Sequence, residues 1–272
     1  MIEKIKIAIL TTEDLVWEYQ CWQKALTDLK RDKRFEIKGL WGASDKLSQY
    51  HGDEIASYYA RVFGAWSCFK LKIFAILVRL KQIFSGQWGG FYGLCKRHDI
   101  PFLRIDNPND KIFGDWLRVH EIDCLIIMTP HILKPFVLQA VKGPVINMHT
   151  SLLPKNRGLF PYFWAVINGD RQGVSFHKVD EGIDTGDIIY QKEIKNTQAL
   201  RSMTAFHHYI YREVFTQGLM VALNEIDKNS DKTLNNLSDG YQNYKGLLTQ
   251  NDMKLFFEKN GKVIDFKDFF FL

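Results

Sequence analysis

The sequence predicts an α/β protein with an open, Rossmann-like and mostly parallel sheet. Short apolar runs alternate with stretches of helical spacing through most of the chain, which is typical of strand–helix–strand units. The run Cys124–Met128 is apolar at every position, as expected for a central parallel strand that is covered on both faces. In such sheets ligands bind beyond the carboxyl ends of the strands, so we expect functional residues there.

The individual elements follow from the same spacing. Apolar or alternating runs predict strands at Ile5–Leu10, Phe35–Trp41, Pro101–Ile105, Cys124–Met128, Pro144–His149, Gly173–Asp180 and Asp187–Ile194. Apolar residues at helical spacing predict helices at Leu15–Leu29, Phe91–His98, Ser202–Ile226 and, with a cap, Thr249–Lys259.

Two stretches stand apart from this pattern. Residues 55–98 are rich in aromatic residues and glycine, and we expect them to form a helical insert. The tail begins with an Asn-, Asp- and Ser-rich stretch to Asp239, which predicts a loop. These observations divide the chain into a main domain over residues 1–228 and a C-terminal extension over residues 229–272.

Composition excludes several classes of protein. The chain has 272 residues, of which 46% are hydrophobic and 25% charged, and this is typical of a globular protein rather than a disordered or collagen-like one. A net charge of +5 is weak support for a nucleic-acid partner, so none is favoured. The four cysteines lack the spacing of a metal site. We therefore expect reduced thiols, no metal and a cytoplasmic protein without a signal peptide or a spanning helix.

The segment VINMHTSLLPKNRG, residues 145–158, carries the strongest chemical signal. On a strand, side chains at i and i+2 share a face, so Asn147 and His149 are expected to project together at its carboxyl end. An imidazole beside a carboxamide pairs an acid–base group with a hydrogen-bond donor for an oxyanion. Gly158 allows a close approach of the backbone. Taken alone, His149 has the alternative role of a hydrogen-bonded structural residue.

A second signal is VDEGIDTGDII, residues 179–189, which places acids and glycines between two predicted strands. One interpretation is a polar hairpin loop. The other is that a carboxylate of this segment reaches His149, orients the ring and stabilises its charged form. The glycines would then let the loop backbone approach a flat heterocycle.

Together the two segments resemble the formyltetrahydrofolate-dependent formyltransferases, a family that includes glycinamide ribonucleotide, methionyl-tRNA and sugar N-formyltransferases. The resemblance is specific over residues 123–191, because two separate motifs occur in the right order with a predicted strand between them. The motifs are Asn147-x-His149-x-Ser151-Leu152-Leu153-Pro154 and Asp180-Glu181-Gly182-Ile183-Asp184-Thr185-Gly186. The resemblance implies a formyltransferase catalytic domain over residues 1–228.

The resemblance also implies a role for each matching residue. Asn147, His149 and Asp184 match the family's catalytic residues. Asn147 and protonated His149 would stabilise the oxyanion that forms when an amine attacks the formyl carbon, and Asp184 would hold the imidazole. The implied co-substrate is 10-formyltetrahydrofolate, and its binding residues would be His131, Ile132, Leu133, Ser151, Leu152, Leu153, Pro154, Asp180, Glu181, Gly182 and Ile183.

Candidates for the amine-substrate pocket are fewer. His177 resembles a position where some members carry a histidine near the amine, and its alternative role is that of a hydrogen-bonded strand histidine. Phe160 and Tyr162 follow the catalytic strand and are further candidates.

Departures from the family pattern narrow the substrate class. After the first strand, Leu10–Asp14 holds two acids and no glycine where glycinamide ribonucleotide enzymes cradle a phosphate. We expect the tail to be too short for the β-barrel domain of the methionyl-tRNA enzymes. We also expect no regulatory domain before the first strand, unlike in the formyltetrahydrofolate hydrolases.

Among the members of the family, the sequence then most resembles the sugar N-formyltransferases. We predict formyl transfer to an amino sugar of a nucleotide- or lipid-linked sugar, as in lipopolysaccharide biosynthesis. The alternatives are an enzyme of the glycinamide ribonucleotide or methionyl-tRNA type, or a catalytically silent module that binds folate or a nucleotide.

The basic excess lies in the insert. Residues 55–98 contain seven Lys or Arg and no Asp or Glu, so the insert carries +7 and the rest of the chain −2. In Phe69–Phe84 the cations fall on two sides of a helical wheel, which is not a clean amphipathic pattern. Two hypotheses remain. Residues 66–84 contact the inner membrane face peripherally through aromatic rings and cations, or this helix packs on the body of the protein or on a second copy in a homodimer.

Overall fold

The computed structural model describes residues 4–47, 49–227, 233–234, 236 and 243–271. Its strands are β1 (Ile5–Thr12), β2 (Phe35–Ala43), β3 (Lys46–Leu47), β4 (Tyr50–His51), β5 (Phe102–Ile105), β6 (Cys124–Met128), β7 (Val145–His149), β8 (Arg157–Gly158), β9 (Gly173–Lys178), β10 (Ile188–Glu193) and β11 (Tyr244–Lys245). Its helices are α1 (Glu18–Arg31), α2 (Asp53–Phe63), α3 (Ala65–Phe84), α4 (Gly90–Arg97), α5 (Lys111–Val119), α6 (Pro135–Leu138), α7 (Pro161–Asn168), α8 (Met203–Tyr209), α9 (Phe215–Asp227) and α10 (Gln250–Glu258).

A sheet of seven strands organises the molecule, in the order β10-β9-β7-β6-β1-β2-β5. The strands from β5 to β7 in this order run parallel, whereas β9 is antiparallel to β7 and β10 is antiparallel to β9. The predicted α/β class with a mostly parallel sheet is therefore confirmed. The order places β1, β6 and β7 side by side, so their carboxyl ends form one edge.

The sheet separates two apolar layers because successive side chains of a strand point to opposite faces. In β1, Ile7 and Ile9 enter the larger layer, and Ala8 and Leu10 enter the smaller one. The predicted central strand Cys124–Met128 is buried at every position for the same reason. Of the cysteines, Cys21, Cys95 and Cys124 are buried, Cys68 is half-buried, and all are free thiols.

The insert is helical, as the sequence predicts, and consists of α2, α3 and α4. It is preceded by the short hairpin of β3 and β4, which the sequence analysis did not predict. Two side chains of α3, Phe74 and Val78, pack with Ile264 of the C-terminal extension. None of the helices in the described ranges is long and apolar enough to cross a membrane.

The predicted helix Ser202–Ile226 is not uniform. Its middle, Ile210–Val214, is a π-helical segment between α8 and α9. Such a segment adds a residue to one turn and shifts the side chains that follow, and it occurs often at functional sites. A helical wheel drawn at 3.6 residues per turn cannot show a π-helical segment, so the position of Tyr211 could not be predicted from the sequence.

The C-terminal extension packs onto the main domain. Strand β11 pairs with β8 in parallel, and α10 packs against α7. The predicted cap of α10 is confirmed as a capping box between Thr249 and Asp252. The chain ends in a 3₁₀ helix, Phe266–Phe271. Most of the loop predicted up to Asp239 lies outside the described residues.

We expect Phe256→Ala to lower the free energy of unfolding by about 3–5 kcal/mol, because it empties a filled site in the core. Phe256 is 0% exposed, and its ring lies 4.8 Å from that of Phe163 in the main domain. Urea denaturation measures the change. Its neighbour Phe257 is 45% exposed and provides the matched control, Phe257→Ala. Equal effects of the two substitutions would contradict the integration of the extension into the core.

Candidate active site

A cavity of about 350 Å³ opens at the carboxyl ends of β6 and β7. Its walls come from these two strands, from the loop after β6, from β9 and from the loop between β9 and β10. The lining residues are Glu18, Ile127, Met128, Thr129, Pro130, His131, Ile132, Leu133, Asn147, Met148, His149, Gly158, Leu159, His177, Val179, Asp180, Gly182, Ile183, Asp184, Tyr211 and Tyr244. All three predicted catalytic residues are among them.

Asn147 and His149 project from the same face of β7, as their spacing predicts, and both line the cavity. The ring of His149 is only 6% exposed. Its Nε2 lies 2.9 Å from the carbonyl oxygen of Asn156, and its Nδ1 lies 3.4 Å from Oδ2 of Asp184. A carbonyl and a carboxylate both accept hydrogen bonds, so each ring nitrogen faces a hydrogen-bond acceptor.

Asp184 reaches this position from the loop between β9 and β10. Its backbone has φ +52°, which a non-glycine residue adopts only under constraint. Asn236 supplies part of that constraint, because its Nδ2 donates to the carbonyl oxygens of Asp184 (2.9 Å) and Gly186 (3.0 Å). The carboxylate also accepts a hydrogen bond of 2.9 Å from the backbone N–H of Gly158.

The pKa of the Asp184 carboxyl is set by two opposing effects. Burial raises it, but the charges and hydrogen bonds of His149 and His177 and the N–H of Gly158 outweigh burial, so the pKa falls below the usual 3.8. The carboxylate is therefore ionised at neutral pH. An ionised acid at this point can orient an imidazolium and stabilise its charge.

His177 is brought to the trio by strand pairing. It lies directly opposite Asn147 in the antiparallel register of β7 and β9. Its Nδ1 donates to the carbonyl oxygen of Lys178 at 2.8 Å. Its Nε2 lies 3.4 Å from Oδ1 of Asp184 and 3.5 Å from Nδ2 of Asn147. The ring thus contacts two of the three predicted catalytic side chains and helps to position them.

Gly158 permits the close backbone approach that the sequence predicts. Its φ is +92°, and a Cβ at this position would lie 2.3 Å from the carbonyl oxygen of Lys245. A side chain here would push β8 away from β11 and move the N–H away from Asp184.

The predicted folate-binding residues divide into two groups. The residues that line the cavity are His131, Ile132, Leu133, Asp180, Gly182 and Ile183. Those that are not among its lining residues are Ser151, Leu152, Leu153, Pro154 and Glu181.

The segment after β7 has structural contacts instead. Ser175 accepts a hydrogen bond from the N–H of Leu153 (3.0 Å) and donates to the carbonyl of Ser151 (2.7 Å). A contribution of residues 151–154 to folate binding stays a prediction.

The two aromatic candidates for the amine pocket lie elsewhere. Tyr162 is 2% exposed and packs in the core against Phe206, with 4.9 Å between the ring centroids. Phe160 packs among the aromatic rings of α2, including Tyr58 and Phe63. The chain turns away from the cavity at β8, so a position shortly after the catalytic strand does not bring either ring to the cavity. Of the three candidates for this pocket, only His177 lines it.

The cavity is also lined by Glu18, Tyr211 and Tyr244, which come from distant parts of the chain and were not predicted from the sequence. Burial raises the pKa of the Glu18 carboxyl well above its usual value, and the hydroxyl of Thr11 donates a hydrogen bond to it. The sequence signal for Glu18 was an acid at the start of α1. Nothing in the local pattern indicates the two tyrosines.

The acids after β1, Glu13 and Asp14, lie in the turn that precedes α1. Oδ1 of Asp14 accepts hydrogen bonds from the backbone N–H groups of Val16 (2.6 Å) and Trp17 (2.9 Å). Glu13 pairs with Arg104 at 2.6 Å. Two N–H groups of this turn are therefore satisfied by a carboxylate of the protein itself, whose negative charge would repel a phosphate.

The fold and the site together define a class of protein, an α/β protein with Asn, His and Asp side chains gathered at the carboxyl edge of its sheet. Residues 110–209 match the family described as formyl transferase. The Asn, His and Asp residues lie in this range. The match confirms the resemblance to this family for residues 110–209.

Curated relatives are similar over about a third of the chain. The methionyl-tRNA formyltransferase of Thermodesulfovibrio yellowstonii is 46% identical over 97 residues, which are 35% of this chain and 32% of that protein. The enzyme of the same name from Lachnospira eligens is 37% identical over 100 residues, 36% of this chain and 32% of that protein. The chain therefore matches about a third of the length of these relatives.

Solved structures share the fold over most of the chain. The phosphoribosylglycinamide formyltransferase of Bacillus halodurans has a TM-score of 0.54 at 18% identity and covers 81% of this chain and 95% of its own. A 4-N formyltransferase from Francisella tularensis has a TM-score of 0.53 at 18% identity and covers 93% and 86%. A sugar N-formyltransferase from a Shewanella species has a TM-score of 0.53 at 15% identity and covers 94% and 87%.

We expect Asp184→Asn to lower the free energy of unfolding at neutral pH by about 2–4 kcal/mol, because the buried groups that face this carboxylate lose its negative charge as a partner. A carboxyl whose pKa is lowered by folding stabilises the folded state above its usual pKa of 3.8. The difference between wild type and variant should therefore shrink as the pH falls below about 4. Urea denaturation across this range measures it. Asp110→Asn, at an exposed position, is the control and should change stability by less than about 0.5 kcal/mol. A pH-independent difference for Asp184→Asn would be the contrary result.

Proposed function

We propose that this protein transfers a formyl group from 10-formyltetrahydrofolate to a primary amine. The observation that carries the proposal is the convergence of Asn147, His149 and Asp184 on one cavity, with Asp184 ionised between two imidazoles. The match of the surrounding segment to the formyl transferase family supports the same chemistry.

The residues of the cavity suit the charges of this reaction. When bound, 10-formyltetrahydrofolate supplies a formyl carbon that an amine can attack. The amide N–H of Asn147 can then donate to the oxygen on which negative charge develops. His149 carries the proton that balances this charge, and Asp184 keeps the ring oriented. The amine loses a proton and the leaving nitrogen gains one, and Nε2 of His149 would carry this proton once the substrate replaces the carbonyl oxygen of Asn156 as its partner.

The cavity also fits a flat and partly polar heterocycle. Ile132 is 64% exposed and Ile183 is 37% exposed, although both are large apolar side chains at the rim of the cavity. Asp180 is held in place by the N–H of Gly182 (3.1 Å) and the hydroxyl of Thr185 (2.6 Å). Apolar residues beside a fixed carboxylate are the features expected for a pteridine-type ring system.

For the acceptor we propose an amino sugar of a nucleotide- or lipid-linked sugar. The carboxylate of Asp14 lies in the turn before α1 and binds two N–H groups there, so its negative charge disfavours a substrate phosphate at this place and hence glycinamide ribonucleotide. Solved structures named as a sugar N-formyltransferase and a 4-N formyltransferase share the fold over more than nine-tenths of this chain. Glu18 and Tyr211 give the cavity polar groups that can bind sugar hydroxyls.

The second candidate is a methionyl-tRNA type acceptor. The specific observation in its favour is the identity to the methionyl-tRNA formyltransferases, which reaches 46% over 97 residues in one of them. That identity extends over 35% of this chain. A formyl-transfer assay with a panel of amines therefore decides between the two.

We expect the protein to formylate amino-sugar nucleotides in the presence of 10-formyltetrahydrofolate. His149→Ala and Asp184→Asn should each lower kcat on the order of 10²–10⁴-fold. His51→Ala removes an exposed imidazole outside the cavity and should leave kcat unchanged. Turnover of methionyl-tRNA or glycinamide ribonucleotide alone would overturn the proposed acceptor. No turnover of any amine by wild type would favour the silent binding module.

A second test concerns the floor of the cavity. Glu18→Ala should raise KM for the amine about tenfold and leave KM for the formyl donor unchanged, because only the acceptor would contact this carboxyl. Glu18→Gln should retain most of the affinity, since an amide has the size and the hydrogen-bonding groups to replace the carboxyl. Glu13→Ala, which removes an acid that does not line the cavity, is the control. Equal KM changes for both substrates would count against this assignment.

A further inference from the structure

Helix α3 has two apolar faces, which explains why its sequence gives no clean amphipathic pattern. Phe74 and Val78 face the body of the protein, where Phe74 stacks on Trp17 with 5.5 Å between the ring centroids. The opposite face is also apolar but has no covering in the described structure. We call this face the exposed stripe; it consists of Trp66, Phe69, Ile76, Leu77, Leu80 and Phe84.

The exposed stripe is continuous and long. Its side chains are between 38% and 86% exposed. At 100° per residue they fall within an arc of about 100°, and at 1.5 Å per residue they extend about 27 Å along the helix. Contiguous apolar surface of this size is uncommon on monomeric proteins and marks an interaction site.

Cations border the exposed stripe on both sides. Lys70 and Lys81 follow one edge, and Lys72 and Arg79 follow the other, as the helical positions require. No Asp or Glu occurs anywhere in residues 55–98. A second copy of the chain would bring four equal charges against these four, so electrostatics oppose a homodimer through this face.

A recess beside the C-terminal half of α3 extends the positive surface. It has a volume of about 320 Å³, and its described lining contains Lys24, Lys81 and Arg212 but no carboxylate. The hydroxyl of Ser85 and several glutamine side chains complete the wall. Burial and then the charges of Arg212 and Lys81 lower the pKa of His208, which also lines the recess, to about 4.

We propose that α3 docks on an anionic bilayer surface and lies parallel to it. The exposed stripe enters the acyl boundary of the membrane, and the bordering cations contact lipid phosphates. A bilayer supplies apolar contact and negative charge together over a length of about 27 Å, which matches the arrangement along α3. The surface is separate from the catalytic trio, so the inference does not rest on the proposed activity.

Flotation of the full chain with vesicles tests the proposal. The protein should float with vesicles of phosphatidylcholine and phosphatidylglycerol but not with phosphatidylcholine alone. Trp66→Ser combined with Phe84→Ser should lower the partition coefficient at least about tenfold, because two exposed aromatic rings no longer enter the bilayer. Lys72→Gln combined with Lys81→Gln should lower it on the order of tenfold at low salt.

Matched controls come from α5 and its surroundings. Ile112→Ser combined with Val119→Ser removes side chains that are 66% and 78% exposed, and it should leave flotation unchanged. Lys111→Gln combined with Lys134→Gln removes the same charge elsewhere and should also have no effect. Thermal melting of each variant shows that it folds, and formyl transfer in solution by the Trp66 and Phe84 variant should equal that of wild type.

Several results would overturn the proposal. These are absence of flotation by wild type, equal flotation with both vesicle types, and equal losses in the stripe variant and its control. Concentration-dependent dimers that the stripe variant abolishes, in a protein that does not float, would assign the face to a second copy instead. Loss of formyl transfer without loss of flotation would affect the proposed function and leave this inference intact.

Discussion

The rest of the site depends on the interactions of the Asp184 carboxylate. It faces imidazoles from β7 and β9 and the backbone N–H of Gly158, so three separate segments meet at one charge. A buried carboxylate is stable only where such donors surround it, and each imidazole loses its oriented partner without the carboxylate. The left-handed backbone of Asp184 and the two hydrogen bonds from Asn236 serve this placement.

The sheet and the loops contribute different parts of the site. Asn147, His149 and His177 sit on paired strands, whose register fixes their separation. The walls that would contact a formyl donor and an acceptor come from loops, from the start of α1 and from the π-helical segment that carries Tyr211. A rigid sheet therefore holds the reacting groups, while the surrounding segments can vary with the substrate without moving them.

Helix α3 shows how one element can have two partners. The face with Phe74 and Val78 joins the insert to the body and to the C-terminal extension. The exposed stripe lies on the opposite face, between two rows of cations. Because both faces are apolar, the sequence of α3 shows no clear amphipathic pattern. Only the packing distinguishes the face that stabilises the fold from the face that is available to a partner.

The sequence by itself determined the sheet class, most strand positions and three residues that line the cavity, Asn147, His149 and Asp184. Alternation and burial patterns are local, and the spacing of Asn147 and His149 fixes their common face. Only the tertiary structure decided which distant residues join them. Tyr211 lines the cavity through a π-helical turn, and Glu18 through the packing of α1, whereas Tyr162 turns into the core shortly after the catalytic strand. Contacts of this kind depend on how separate elements pack, and no periodicity along the chain records that packing.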